Sequence, residues 1–251
     1  MARHSMVGRK SARNAPARPR PSARAVRSSR PARPARRGPA GPPLFRLLLV
    51  PVAVTLGVTL VRLGGELLEW SSSLFGRAPG GGLAYVGIAW LVPIFGFYFG
   101  FRLARAGVRP VSLARAAGWP VAALVLVRIL AAVGSRLELA STAQGHLAMW
   151  GVVSVIAAML ALVAWPALGR VLLAYAFAAR LPVVAVMWLA IRGEWGTHYD
   201  APPPGFPPIP PMARWLWTGV LPQMTIWVAW TVIVGTLFGA VAWVVAERRA
   251  E

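Results

Sequence analysis

The sequence predicts an all-α polytopic membrane protein, a bundle of about six transmembrane helices preceded by a disordered basic N-terminal tail. Hydrophobic residues make up 57% of the 251 residues and charged residues only 14%, whereas soluble proteins carry roughly a quarter of their residues as charged ones. The mean hydropathy of +0.59 points the same way. Most of the chain is therefore expected to face lipid, and an ordinary soluble protein is excluded.

Residues 1–43 form the predicted tail. They hold 12 of the 27 basic residues and none of the 7 acidic ones, and they are rich in Arg, Ala, Pro and Ser. Such a composition cannot bury apolar surface, so we expect this segment to be disordered. A basic tail of this kind lies on anionic lipid headgroups. Nucleic acid is a less suitable partner because the tail has no aromatic residue to stack on bases.

Six apolar segments follow within residues 44–251, each near the roughly 20 residues that a helix needs to cross the hydrocarbon core. None shows the alternating pattern of a membrane β-strand, so all are predicted to be helices. The last segment is long enough to include an interfacial turn. The predicted spans are Leu44–Leu63, Leu83–Leu103, Ala117–Val133, Leu147–Leu162, Val171–Ile191 and Trp215–Ala246.

The charges of the connecting loops predict the orientation. The connections between spans two and three and between spans four and five are basic, and so is the C-terminal end. The other end of the bundle carries five of the seven acidic residues, namely Glu66, Glu69, Glu138, Glu194 and Asp200. By the positive-inside rule, the chain is a multi-pass protein of the cell inner (plasma) membrane with both termini in the cytoplasm.

The connection at 192–214 is then external and unusually rich in proline. Its run over residues 201–211 favours stiff, extended polyproline geometry, and tryptophan and tyrosine residues flank it. Such a loop either caps the bundle or docks a membrane-protein partner.

Arginines inside the apolar segments are the most informative residues. Arg180 lies near the middle of span five, two residues before Pro182, which disrupts the helical hydrogen bond to Ala178. A charge at that depth costs a few kcal/mol and usually faces the bundle interior. Arg180 therefore forms either an anion or carboxylate site or a structural ion pair. Arg128 in span three is a second candidate, although its long side chain reaches the interface.

The end of span one offers partners for these arginines. Arg62, Glu66 and Glu69 recur at spacings of four and three residues, which places them on one helical face. Arg62 and Glu66 can pair with each other. We also expect Glu66 or Glu69 to neutralise Arg128 within an externally open cavity.

Glu194, His198 and Asp200 form a possible external polar or metal cluster. Divalent metals accept such ligands, and a neutral imidazole can serve as a general base. His146, before span four, adds one further nitrogen if the loops meet. The glycine at 196 and the prolines that follow do not give the helical spacing of zinc motifs. An interfacial hydrogen-bonding loop is therefore the competing interpretation, and we predict neither a metal nor a cofactor.

Two glycine pairs predict close helix packing. Gly96 and Gly100 lie in span two, and Gly235 and Gly239 lie in span six. The GxxxG spacing lets two backbones approach each other, within one chain or between chains.

Motifs of known enzyme classes are not present in the sequence. It holds no cysteine and no G-x-S-x-G, H-E-x-x-H, Walker A or dinucleotide fingerprint. Three functions remain open. The chain binds or passes a small anionic or carboxylate-bearing solute through a bundle cavity, serves as a non-catalytic subunit of a larger membrane complex, or is a membrane-embedded enzyme acting at the external face.

Overall fold

The computed structural model describes residues 42–81 and 85–249, so the predicted tail at 1–43 lies almost wholly outside the described residues. Within the described ranges the chain is helical and has no β-strand. The α-helices are α1 (Leu44–Leu67), α2 (Leu91–Arg105), α3 (Leu113–Arg136), α4 (Ala143–Ala164), α5 (Pro166–Gly193), α6 (Pro211–Arg214), α7 (Leu221–Met224) and α8 (Ile226–Arg248).

Six helical segments of the described part are long and apolar enough to cross a membrane. This confirms the prediction of an all-helical chain with six candidate spans. The second segment begins at Ile88 with a 3₁₀ turn, not at Leu83 as predicted. The last covers Pro211–Arg248 and is interrupted, because a π-helical stretch at Trp215–Val220 and a break at Thr225 separate α6, α7 and α8.

Local sequence fixes where several helices begin and end. Ser112 and Thr142 cap α3 and α4, each accepting a hydrogen bond from the backbone N–H three residues on. Just beyond the ends of α1, α3 and α5, Glu69, Glu138 and Glu194 adopt left-handed backbone conformations. We call the end of the bundle that holds these three glutamates the acidic end, and the opposite end the basic end.

Helix α8 lies at the centre of the bundle and packs against α2, α3, α4 and α5. The closest approach is to α2, where a Cβ atom added to Gly96 would lie 2.5 Å from the Cα of Gly235. One turn further, a Cβ atom on Gly100 would lie 2.5 Å from the Cα of Gly239. The two glycine pairs therefore face each other within the chain. Small residues let the two helix backbones come into direct contact.

Helix α1 lies at the side of the bundle and packs chiefly on α5. One polar contact joins them in the interior, where Tyr175 and Thr55 share a hydrogen bond of 2.8 Å between their hydroxyl oxygens. Thr55 donates its own proton to the carbonyl oxygen of Pro51, so Tyr175 is the donor in the shared bond. This contact holds α1 against α5 below the acidic end.

Candidate functional site

A cavity of about 470 Å³ opens among α1, α5 and the interrupted last segment. Its volume lies in the range of small-molecule binding sites, roughly 300–1,000 Å³. The connections at the acidic end contribute Gly87, Ala201 and Pro203 to its lining, and α5 contributes Arg180. The cavity thus runs from the loops of the acidic end down to the middle of α5.

Arg180 lies in the lining of this cavity and is only 4% exposed. Its Nη1 donates to the Oε1 of Gln223 at 3.3 Å, and its guanidinium lies 4.8 Å from the ring centroid of Trp227. Its Nε has no acceptor among the described residues. No carboxylate of the described part lies within ion-pair distance of Arg180, so its charge has no acidic counterpart there.

The interruption of the last segment positions both partners of Arg180. Gln223 lies in α7, between the π-helical stretch and the break at Thr225, and Trp227 begins the regular part of α8. A π-helical stretch is rare and is often found at functional sites. Here it brings Thr218, Gln223 and Trp227 to one side of the cavity.

A second polar group, at the acidic end of the same cavity, centres on Glu66. The Glu66 carboxylate is fully buried and pairs with the Nε of Arg62 at 2.8 Å. Its other oxygen accepts a hydrogen bond of 2.8 Å from the backbone N–H of His198, and the His198 Nδ1 lies 2.5 Å from Oε1. Arg62 and His198 both line the cavity.

Asp200 organises the loop that brings His198 to Glu66. Its carboxylate accepts hydrogen bonds from the backbone N–H groups of Gly196 and Thr197 and from the Thr197 hydroxyl, at 2.7–2.9 Å. Tyr199 follows His198 and donates from its hydroxyl to the carbonyl oxygen of Thr59 at 3.3 Å. The loop is thereby fixed on α1 at two successive residues.

Burial changes the acid–base properties of this loop. Removal from water lowers the pKa of the His198 imidazole, and the hydrogen bond to Glu66 opposes that shift. Burial also raises the pKa of the Tyr199 phenol above its usual range. His198 is therefore neutral near pH 7 when the cavity is empty, and Tyr199 keeps its proton.

Several residues predicted to share a site are apart in the structure. Arg128 is exposed on α3 and does not line the cavity. The expected ion pair of Arg128 with Glu66 or Glu69 is not found among the described residues, because Glu66 binds Arg62 and His198 while Glu69 pairs with Arg77. Helical spacing placed Arg62 and Glu66 together correctly but did not specify the partner from outside α1.

The possible cluster of Glu194, His198 and Asp200 is also divided. Glu194 is exposed, Asp200 binds its own loop, and His198 turns to α1. His146 is separate from them, with its Nδ1 2.9 Å from the carbonyl oxygen of Thr142. No group of three or more His, Cys, Asp or Glu residues in the described part is placed to hold a metal ion.

Four cavity residues were not identified from the sequence as parts of a binding site: Arg62, Tyr199, Gln223 and Trp227. Gln223 carried a usable signal, since a polar amide next to a proline inside a long apolar segment marks a functional position. The others carried none, because arginine, tyrosine and tryptophan near the ends of spans are typical interface residues.

No known protein family matches the chain, and neither a curated protein nor a solved structure matches it.

Proposed function

We propose that the chain is a multi-pass protein of the cell inner membrane that binds a small monoanion, best a carboxylate-bearing solute, in the cavity around Arg180. The observation that carries the proposal is the environment of Arg180. This side chain is buried and charged, it lines a cavity, and it has no carboxylate partner among the described residues.

A bound anion would supply what the protein around Arg180 lacks. A guanidinium carries five N–H donors, and the described residues provide one hydrogen-bond acceptor, the Gln223 side chain. A charge buried without an opposite charge costs several kcal/mol. Planar carboxylates accept two parallel N–H bonds from arginine, so they fit this donor well.

The charges along the cavity favour a single negative charge on the ligand. Arg62 lines the cavity as well, but Glu66 pairs with it at 2.8 Å. That pair is neutral as a unit, and His198 is neutral near pH 7. Arg180 therefore supplies the net positive charge of the described lining.

The rest of the lining favours an apolar body on the ligand. Trp90, Val183, Met187 and Trp227 contribute to the walls. Apolar walls with a few convergent polar groups are the usual composition of a small-molecule site. A monocarboxylate with a compact apolar group matches both the charge and the walls.

Binding of radiolabelled benzoate to the full chain in lipid nanodiscs tests this proposal. Benzoate is a monocarboxylate with an apolar ring, and benzamide has a similar shape without the charge. We expect saturable binding of benzoate to the wild type, loss of at least tenfold in affinity in Arg180→Gln, and partial retention in Arg180→Lys, which keeps the charge without the planar fork.

Arg128→Gln is the matched control, because it removes the same side chain from another candidate span but from a position outside the cavity. It should bind benzoate as the wild type does. Equal affinity of wild type and Arg180→Gln, or binding of benzamide as tight as that of benzoate, would contradict the proposal.

The acidic end is proposed to face the outside of the cell. The support is the charge of the loops, since Arg102, Arg105 and Arg109 lie at the basic end and Glu69 and Glu194 at the other. The solute would then enter from outside, past the proline-rich connection.

A further inference from the structure

His198 is held so that one edge of its ring is used and the other is available. Its Nδ1 lies 2.5 Å from Oε1 of the buried Glu66 carboxylate. A carboxylate accepts hydrogen bonds, so the neutral imidazole carries its proton on Nδ1 and presents Nε2 as an acceptor. Nε2 has no hydrogen-bond partner among the described residues, and it is not among their buried unpartnered atoms.

The available ring edge belongs to a residue that lines the cavity of Arg180. The titratable or charged groups around His198 or across this cavity are Arg62, Glu66, Arg180, Tyr199 and Asp200. Arg180 and Tyr199 keep their protons near pH 7, and Glu66 is held ionised by Arg62 and the two donors of His198. Asp200 is occupied by three N–H and O–H donors of its own loop. His198 is thus the group of this set that changes charge near neutral pH.

We infer that His198 is the proton-accepting group of the cavity and that a carboxylate is bound together with one proton, which resides on Nε2. This inference rests on the proposed function, since it concerns an anion held by Arg180. The proton comes from water or from the acid form of the solute, and it forms an N–H bond on Nε2. No carbon bond forms or breaks, and the net charge taken into the cavity is zero.

The physical reason is the reciprocal effect of two charges in a partly dry cavity. The imidazole is neutral in the empty cavity because burial lowers its pKa. A carboxylate beside it favours the imidazolium and raises that pKa. By linkage, protonation must then strengthen carboxylate binding by the same factor.

The sign follows from these two states. Affinity for the carboxylate increases as the pH falls from the pKa of the occupied state towards that of the empty state. Between the two values it changes by up to about tenfold per pH unit, because one proton is taken up. Above both values the affinity no longer depends on His198.

The test combines affinity with direct proton counting. Benzoate binding to the wild-type chain in nanodiscs is measured from pH 5.5 to 8 by calorimetry in buffers of different ionisation enthalpy. Carboxylic acids titrate near pH 4, so the probe itself stays ionised over this range. We expect stronger binding at lower pH and uptake of a substantial fraction of one proton per benzoate within the transition.

His198→Asn is the informative variant. An asparagine amide can take the place of Nδ1–H as donor to Glu66, and the backbone N–H contact is unchanged. It has no ring nitrogen that titrates. We expect benzoate binding that no longer depends on pH and no proton uptake, with an affinity like that of the wild type at pH 8.

The outcomes separate this inference from the proposed function. Binding that requires Arg180 but shows no pH dependence, or the same pH dependence and proton uptake in His198→Asn, would overturn the inference and leave the proposed function standing. If His198→Asn does not fold, proton uptake by the wild type decides alone, and its absence overturns the inference. Failure to find Arg180-dependent binding at any pH would overturn both.

Discussion

Adding one methyl group to Gly96 should force α2 and α8 apart. A Cβ atom there would lie 2.5 Å from both the Cα and the carbonyl oxygen of Gly235. Carbon atoms in contact are about 3.5–4.0 Å apart, so the backbones would have to separate locally by roughly 1 Å. Both obstructing atoms are backbone and cannot rotate away. Overpacking of this kind costs typically about 1–3 kcal/mol.

The gain in helix propensity must be subtracted from that cost. Alanine is better than glycine inside a helix by up to about 1 kcal/mol. The control is Gly57→Ala, since Gly57 lies within α1 and a Cβ atom there would have nothing within 4 Å. The propensity gain appears in both variants, so their difference isolates the packing cost. We expect Gly96→Ala to be less stable than Gly57→Ala by about 1–3 kcal/mol.

Unfolding of the purified chain in mixed micelles, followed by tryptophan fluorescence as the fraction of SDS increases, measures this difference. Equal unfolding midpoints for the two variants would show that α2 and α8 do not touch at Gly96. That result would refute the central position of α8 in the bundle.

Two further predictions concern the attachment of α1 and the orientation of the chain. Tyr175→Phe should lower the free energy of unfolding by about 0.5–1.5 kcal/mol, because it removes the hydrogen bond to Thr55; Tyr98→Phe should change it little, and equal losses in both would contradict the assignment. The chain has no cysteine, so in intact cells an impermeant maleimide should label Pro208→Cys and leave Arg109→Cys unlabelled until the membrane is opened. Labelling in the reverse order would invert the proposed orientation.

The number of candidate spans followed from sequence because each depends on a local property. Apolar runs of sufficient length predict helices wherever lipid replaces water, and no knowledge of neighbours is needed. The interruption of the last span was harder to place. The sequence showed an overlong segment, but the π-helical stretch at Trp215–Val220 and the break at Thr225 depend on packing against α5.

The candidate site was partly within reach for the same reason. A charge inside an apolar segment is a local signal, and Arg180 carries it. The partners of that charge depend on which helices meet, and one sequence does not give this. Thus Glu66 was recognised as a helical neighbour of Arg62, but its contact with His198, 132 residues away along the chain, follows only from the fold.

The central claim is that the cavity holds an anion on Arg180. Native mass spectrometry of the chain, extracted gently from its own membrane without overexpression, tests it most directly. The account predicts a small anionic adduct on the wild type and on Arg128→Gln that is lost in Arg180→Gln. An adduct retained by Arg180→Gln, or a wild-type chain that carries only a protein partner in fixed ratio, would contradict it.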